Sequence, residues 1–330
     1  MQQEQEVILR VQNLRKWFQT GGGFPFSKRK YVRAVDGISF DVKRGEIFGI
    51  AGESGSGKTT AGRVLLRLIE PTSGKVYFKN KDIFSLGKKE LKSMRSHMQF
   101  IFQNPYESLP PNMRVYDIIA EPLKFAKTTA NKAEMGGIVK NAFDSAGLSP
   151  MENFMSKYPR QLSGGERQRV AVARAIVLQP DFIVADEPVS MLDVSIRGEI
   201  LHFLLDIQKR QNLSCVLITH DLSVARYVCN RIAIMYLGKF VEMGTEEKMV
   251  AEPMHPYTRI LISSVPVMGQ KGEKKDALVE GEPQSLLNLP VGCRFHPRCS
   301  RVMEVCRREE PEFVEVEKGH YVACHLYSAH

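Results

Sequence analysis

Four short clusters in this sequence have the residue types and spacing that phosphate or metal chemistry requires. Gly52, Gly57, Lys58 and Thr59, within AGESGSGKTT, fit the pattern G-x-x-x-x-G-K-[ST], with the apolar run EIFGIA before it and a helical pattern after it. Glycines let backbone N–H groups turn inward around an anion, and a helix that starts at Lys58 points its positive end at the same charge. Ser54, Gly55 and Thr60 belong to this cradle, Lys58 is placed to reach the β- and γ-phosphates, and Thr59 to hold Mg²⁺ through its hydroxyl. Asp186 and Glu187 follow the strand-like FIVA, at the end of a strand where open α/β sheets bind ligands. There Asp186 suits Mg²⁺, directly or through water, and Glu187 suits the activation of an attacking water. LSGGERQRV, Leu162 to Val170, sets a Ser-Gly-Gly turn before an amphipathic helix, so Ser163, Gly164 and Gly165 offer a hydroxyl and N–H groups to an anion. A chain with one complete phosphate cradle thus carries a second anion-binding helix end.

The fourth cluster is Cys293, Cys299, Cys306 and Cys324, spaced C-x5-C-x6-C-x17-C among Arg294, Arg298, Arg301, Arg307 and Arg308. Four thiolates suit either tetrahedral Zn²⁺ or an iron–sulfur cluster. Structural zinc usually gathers its ligands in close C-x-x-C-type pairs, which this spacing lacks, and a cluster tolerates wider separation. The arginines would offset thiolate charge or simply form a solvated basic face. Cys215 and Cys229 stand apart, in apolar surroundings.

Strands alternating with helices must position these groups. The periodicity predicts strands over Val7 to Leu14, Val32 to Val42, Glu46 to Ala51, residues 98–102, Phe182 to Ala185, Cys215 to Ile218 and Ile232 to Met235. Helices are predicted over Lys58 to Ile69, Glu166 to Leu178 and Asp193 to Arg210, and Thr20 to Lys30 reads as a surface loop. This is an α/β layer pattern. Residues 104 to 165, broken by several prolines, read as an inserted helical subdomain, and residues from 253 onward as a small appendage rich in proline, charge and cysteine. The chain has 330 residues, 43% of them hydrophobic, enough for a sizeable core, and its net charge of +9 favours anionic partners without choosing among them. No run of eighteen apolar residues suggests a membrane span, and MQQEQEVILR lacks the order of a secretory signal, so a cytosolic location is expected.

LSGGERQRVAVARA, taken with the phosphate loop, Gln103, Asp186-Glu187, Ser190 to Asp193 and His220 in ITHD, resembles the ATP-binding subunits of ABC transporters over residues 7 to about 250. The resemblance implies an ABC-type ATPase core over 1–252 and a head-to-tail dimer that sandwiches two ATP molecules. Each ATP would touch the phosphate loop of one subunit and Ser163, Gly164 and Gly165 of the other. Gln103 would sense the γ-phosphate beside Mg²⁺ and couple to the membrane subunits, Asp193 would bridge the dimer, and His220 would hold the γ-phosphate during hydrolysis. Taken singly, His220 also suits a cap on the helix beginning at Asp221, and Gln103 is a polar residue closing a strand. An aromatic side chain should stack on adenine, with Phe18, Trp17 and Tyr31 as candidates and core packing as the alternative.

HPYTR at His255 to Arg259, followed by GCRFHPRC and two further cysteines, is similar to the oligopeptide/dipeptide importer ATPases, and DEPVSMLDVS resembles their F-type member. Met191 stands where those proteins commonly have alanine. The HPY triplet also reads as a plain turn, and no chemistry is assigned to it. In that family the four-cysteine pattern of 253–330 is associated with a [4Fe–4S] cluster. The implied partners are a paralogous D-type ATPase subunit, two transmembrane permease subunits and, indirectly, an external substrate-binding protein, at the cytoplasmic face of the membrane. The implied function is a motor for di- or oligopeptide import, with oligosaccharide or nickel uptake as alternatives. Nucleic-acid ABC ATPases usually carry a long coiled coil or zinc insertion between the phosphate loop and the Ser-Gly-Gly motif. Here Lys58 to Ser163 is modest in length, so no nucleic-acid partner is expected.

Overall fold

The strands that deliver the two acidic and phosphate-binding clusters are continuous apolar runs, the signature of strands covered on both faces. All five residues of Ile47–Ala51 are buried, as are all five of Phe182–Asp186. The computed structural model describes residues 6–20, 30–127, 131–263 and 285–327. They group into two compact units that interleave along the chain. One contains Val42–Glu46 and Phe78–Val216 with the residues up to Leu9, and the other contains Arg10–Asp41, Ile47–Tyr77 and the residues from Leu217 on.

In the second unit, Ile47–Ala51 pairs in parallel with Arg231–Tyr236, Ala51 lying opposite Ile234. Arg231–Tyr236 pairs antiparallel with Lys239–Thr245, whose Glu242 lies opposite Val322 of His320–Val322, and Val314–Glu317 completes the ladder. The last third of the chain therefore adds two strands to the sheet that holds the phosphate loop, a pairing the proline- and charge-rich sequence does not announce. An aromatic cluster locks it in place. Tyr236, Tyr257 and Phe295 are all buried, with ring centroids 4.7 to 5.3 Å apart.

In the first unit, Met98–Ile101 pairs in parallel with Phe182–Asp186, Ile101 opposite Ala185. The helices Val115–Ala126, Lys132–Ser145 and Gly164–Ile176 pack on one another, and Ile118, Ile119, Leu123, Val139, Phe143 and Val172 on them are buried. Arg174, on Gly164–Ile176, donates to Glu121 of Val115–Ala126 at 2.7 Å and to the Ser108 carbonyl at 3.1 Å.

Helix boundaries differ from the sequence reading, and two of the differences bear on the motifs. The helix after the phosphate loop spans Lys58–Leu65 and does not reach Ile69. Arg67 turns left-handed at φ 48°, and the bonds Arg67 N–H to Val64 O and Leu68 N–H to Arg63 O close the helix well before Pro71. That closing turn usually uses glycine, so nothing in the local sequence signals it. The helix expected from Glu166 begins at Gly164, because both glycines join its first turn. The expected Thr20 to Lys30 loop lies, apart from its two end residues, outside the described residues.

Candidate functional site

The phosphate loop leaves Ile47–Ala51 at Gly52 and enters the helix Lys58–Leu65 at Gly57. Gly57 has φ 107°, and a Cβ there would run into the Ala34 carbonyl oxygen. A Cβ on Gly52 would likewise meet the Met235 carbonyl, so both motif glycines are required by close backbone approach. The helix has no side-chain cap and no acidic residue in its first turn. Lys58 is buried, and its ammonium donates to the carbonyls of Gly52 and Glu53, each at 2.8 Å. Ser54 and Gly55 are exposed at the loop's tip, and Thr59 and Thr60 are half-buried on the helix's first turn. A pocket of about 370 Å³ is lined by Glu53 to Ser56, Tyr236, Leu237, Ser285 and Leu286.

In the first unit, Asp186 is the buried last residue of its strand. Glu187 follows at φ 46°, a left-handed conformation that costs a non-glycine residue about 1–2 kcal/mol. Gln103 Nε2 donates to Glu187 Oε2 at 2.9 Å, so the structure brings together two residues that are 84 positions apart in sequence. Ser190 Oγ donates to the Glu187 carbonyl, and Arg197 donates to the carbonyls of Leu192 and Ser190, which pins the stretch Ser190 to Asp193. Asp193 is exposed at the start of the helix Val194–Gln211 and makes no side-chain cap bond. Met191 is exposed, so its difference from alanine is met by solvent.

Ser163 caps the helix Gly164–Ile176 with its own side chain. Its Oγ accepts from the Glu166 N–H at 3.3 Å, and the Glu166 carboxylate accepts from the Ser163 N–H at 2.6 Å. Gly165 faces Ile196 so closely that a Cβ would sit 3.0 Å from Ile196 Cγ2.

His220 is exposed at the end of Ser214–Thr219. The helix Leu222–Val228 is capped by Asp221, whose carboxylate accepts from the Ser223 N–H at 2.8 Å, so the helix already has a cap that is not His220. Among the aromatics, the Trp17 ring is engaged by Asp36 through Nε1 at 3.0 Å and by Arg33 over its face at 4.7 Å. Phe18 and Tyr31 are 40% and 42% exposed, which leaves more of their rings to stack on a base.

In the second unit, none of the four C-terminal cysteines is in a disulfide. Gly292, at φ 75°, lets the chain pass against the Cys306 backbone, and the Cys293 N–H donates to the Cys306 carbonyl at 2.9 Å. Burial pushes the Cys293 thiol up to about 12 and Cys324 up to about 11, and each is raised further by the charge of the neighbouring cysteines. Among the described residues, however, no three His, Cys, Asp or Glu side chains are grouped to hold a metal ion. The cluster expected from the sequence therefore has no preassembled ligand set behind it here.

Sequence reasoning missed two residues that reach the phosphate loop. Arg298 binds the Glu53 carboxylate with both terminal nitrogens, at 2.9 and 3.0 Å, and the Tyr257 hydroxyl accepts from the Glu53 N–H at 3.0 Å. The HPY triplet, to which no chemistry was assigned, supplies Tyr257. Its His255 is held neutral by burial, with a pKa lowered to about 4, and the His255 N–H donates to the buried Glu242. The hints in the sequence are the HPY triplet itself and the arginines between the cysteines.

The chain matches the family model for ABC transporters over residues 35–190 and that for the oligopeptide/dipeptide transporter C-terminal region over residues 241–306. It is 43% identical over 327 residues to the oligopeptide transport ATP-binding protein AppF of Bacillus subtilis, covering 98% of each chain. It is 41% identical to a putative peptide import ATP-binding protein of Brucella ovis, covering 96% of this chain and 97% of that one. A bacterial ABC transporter cassette solved as a dimer superposes with TM-score 0.64 at 30% identity, over 72% of this chain and 98% of the other. A dimeric cassette in a post-hydrolysis state with ADP and Pi gives TM-score 0.63 at the same identity and coverage.

Proposed function

This chain belongs to the ATP-binding proteins of the oligopeptide/dipeptide ABC transporters, and on that premise we propose how its residues share one nucleotide cycle. The protein binds ATP with Mg²⁺ and hydrolyses it, powering peptide import through membrane-spanning permeases served by a substrate-binding protein. Gly52 to Thr60 cradle the phosphates, Lys58 exchanging its loop carbonyls for phosphate oxygens. Thr59, Asp186 and Gln103 would hold Mg²⁺, which supplies charge neutralisation at the β- and γ-phosphates. A carboxylate buried at a strand end suits that cation. Glu187, oriented by Gln103, takes the proton of the water that attacks the γ-phosphorus, the bond from that phosphorus to the β,γ-bridging oxygen breaks so that ADP leaves, and His220 steadies the γ-phosphate. Phe18 or Tyr31 stacks on adenine.

The observation that carries this reading is the uncapped helix end at Gly57 with a buried lysine beside it. Ser163, Gly164 and Gly165 would close on the nucleotide of a second ATPase subunit, with Asp193 at the seam. Following its resemblance to the F-type member, this chain would pair with a D-type paralogue and dock on two permeases at the cytoplasmic face of the membrane. Among the described residues no helix is long and apolar enough to cross a membrane. The helices between Pro105 and Gln161 would be the subdomain that meets those permeases, with Gln103 at its root. Hydrolysis measured across dilution, with and without the paralogue, tests the sandwich. Turnover should need a second subunit, and strong cooperative hydrolysis by a strictly monomeric preparation would overturn it.

Cys293, Cys299, Cys306 and Cys324 would hold a [4Fe–4S] cluster acting as a structural clip on the C-terminal region. Support comes from the likeness of the four-cysteine pattern to that of the importer ATPases and from four cysteines of which none is in a disulfide. Anaerobically purified protein should be brown, with iron and acid-labile sulfide near stoichiometric, and Cys299→Ser should bleach it. Stoichiometric zinc without labile sulfide would sink the cluster.

A further inference from the structure

Glu53 is held at three points, and two of the three holders come from the last third of the chain. Its carbonyl accepts from Lys58, its N–H donates to the Tyr257 hydroxyl, and its carboxylate receives the two-pronged guanidinium of Arg298. The Arg298 side chain is 6% exposed and lies 5.8 and 5.9 Å from the ring centroids of Tyr236 and Phe295. A planar fork on a carboxylate fixes orientation as well as distance, and the aromatic wall leaves the guanidinium little freedom to swing.

Arg294, four residues earlier, does similar work at another element. It donates to Asp36, whose carboxylate also accepts from Trp17 Nε1, and to the Leu237 carbonyl and the Glu310 carboxylate. Both arginines lie between Cys293 and Cys299. One short span thus braces the phosphate loop and the strands that present the adenine candidates.

We infer that Arg298 is a positioning residue for ATP: by holding Glu53 it sets the shape of the phosphate loop, so nucleotide affinity depends on the seating of the cysteine-bearing segment. The inference rests on reading Gly52 to Thr60 as the ATP cradle. Its physical basis is that the loop's N–H groups must converge before phosphate arrives, and that Glu53 is one residue from Gly52, where the chain turns into the loop. When Lys58 releases the Glu53 carbonyl to reach phosphate, Arg298 and Tyr257 still hold Glu53 in place.

The test is a double-mutant cycle on the full chain, read by calorimetric titration with ATP and Mg²⁺. Arg298→Ala should weaken ATP binding about tenfold, and Arg298→Lys, which keeps the charge without the fork, should recover part of it. Tyr257→Phe should weaken binding by roughly threefold. In a Glu53→Ala background, Arg298→Ala should cost nothing more. In the assembled transporter, Arg298→Ala should raise the KM for ATP while kcat at saturation stays within about twofold. Unchanged affinity in Arg298→Ala would overturn the inference. So would an equal loss in the Glu53→Ala background, since the arginine would then act only through folding. If Arg298→Ala does not fold, Arg298→Lys decides by the same cycle. A parental chain that fails to bind ATP would refute the cradle reading rather than the coupling.

Discussion

Two helix ends in this chain offer N–H groups to an anion, and they are finished in opposite ways. The helix Lys58–Leu65 starts on a left-handed glycine with no side-chain cap and no acid in its first turn, and its first residue is a buried lysine. The helix Gly164–Ile176 caps itself, with Ser163 and Glu166 each taking one of the other's N–H groups. Its first turn also carries the Glu166 carboxylate, which offsets the positive helix end. A helix end left uncapped and given a cation can bind phosphate alone. One that has used its own cap and holds an acid can only complete a site whose charge is balanced elsewhere. This contrast fits the proposal that the second end serves a partner's nucleotide.

The largest expected effect separates binding from turnover. Glu187→Gln in the assembled transporter should slow hydrolysis about a hundredfold or more while ATP stays bound at the first helix end, because the amide keeps the shape but accepts no proton. Hydrolysis at the parental rate would remove Glu187 from the chemistry.

Next in size is a direct contrast of the two ends. Lys58→Ala should weaken ATP binding to the full chain roughly a hundredfold, whereas Ser163→Ala should leave that affinity within about threefold and lower only turnover in the assembled complex. Similar losses of affinity in both variants would break the comparison.

The smallest effect is on stability. Ser163→Ala removes a cap that Gly57 never makes, so urea unfolding should show a loss of about 1 kcal/mol. No measurable loss would mean that the capping bonds contribute little and that the two helix ends differ less than their geometry suggests.

The sequence by itself determined the motifs whose physics is local. Within each motif the residues lie a few positions apart (a left-handed glycine before a helix start, a capped helix start, an acid closing a buried strand), so Gly52 to Thr59, Ser163 to Gly165 and Asp186-Glu187 were legible from type and spacing. Where a local rule was satisfied by an unusual residue, legibility failed: Arg67 at φ 48° closes the helix that the sequence pattern carried to Ile69.

Tertiary structure alone decided which side chains meet across long stretches of chain. Arg298 and Glu53 are 245 residues apart, Tyr257 and Glu53 are 204 apart, and Gln103 and Glu187 are 84 apart. The strands Val314–Glu317 and His320–Val322 are too short and polar to declare themselves, and they exist because Lys239–Thr245 offers an edge to pair with. Such contacts leave no periodicity in sequence. They depend on backbone geometry that forms only when distant strands come into register, and this is why the arginines among the cysteines read as loose charge until the fold placed one on Glu53 and another on Asp36.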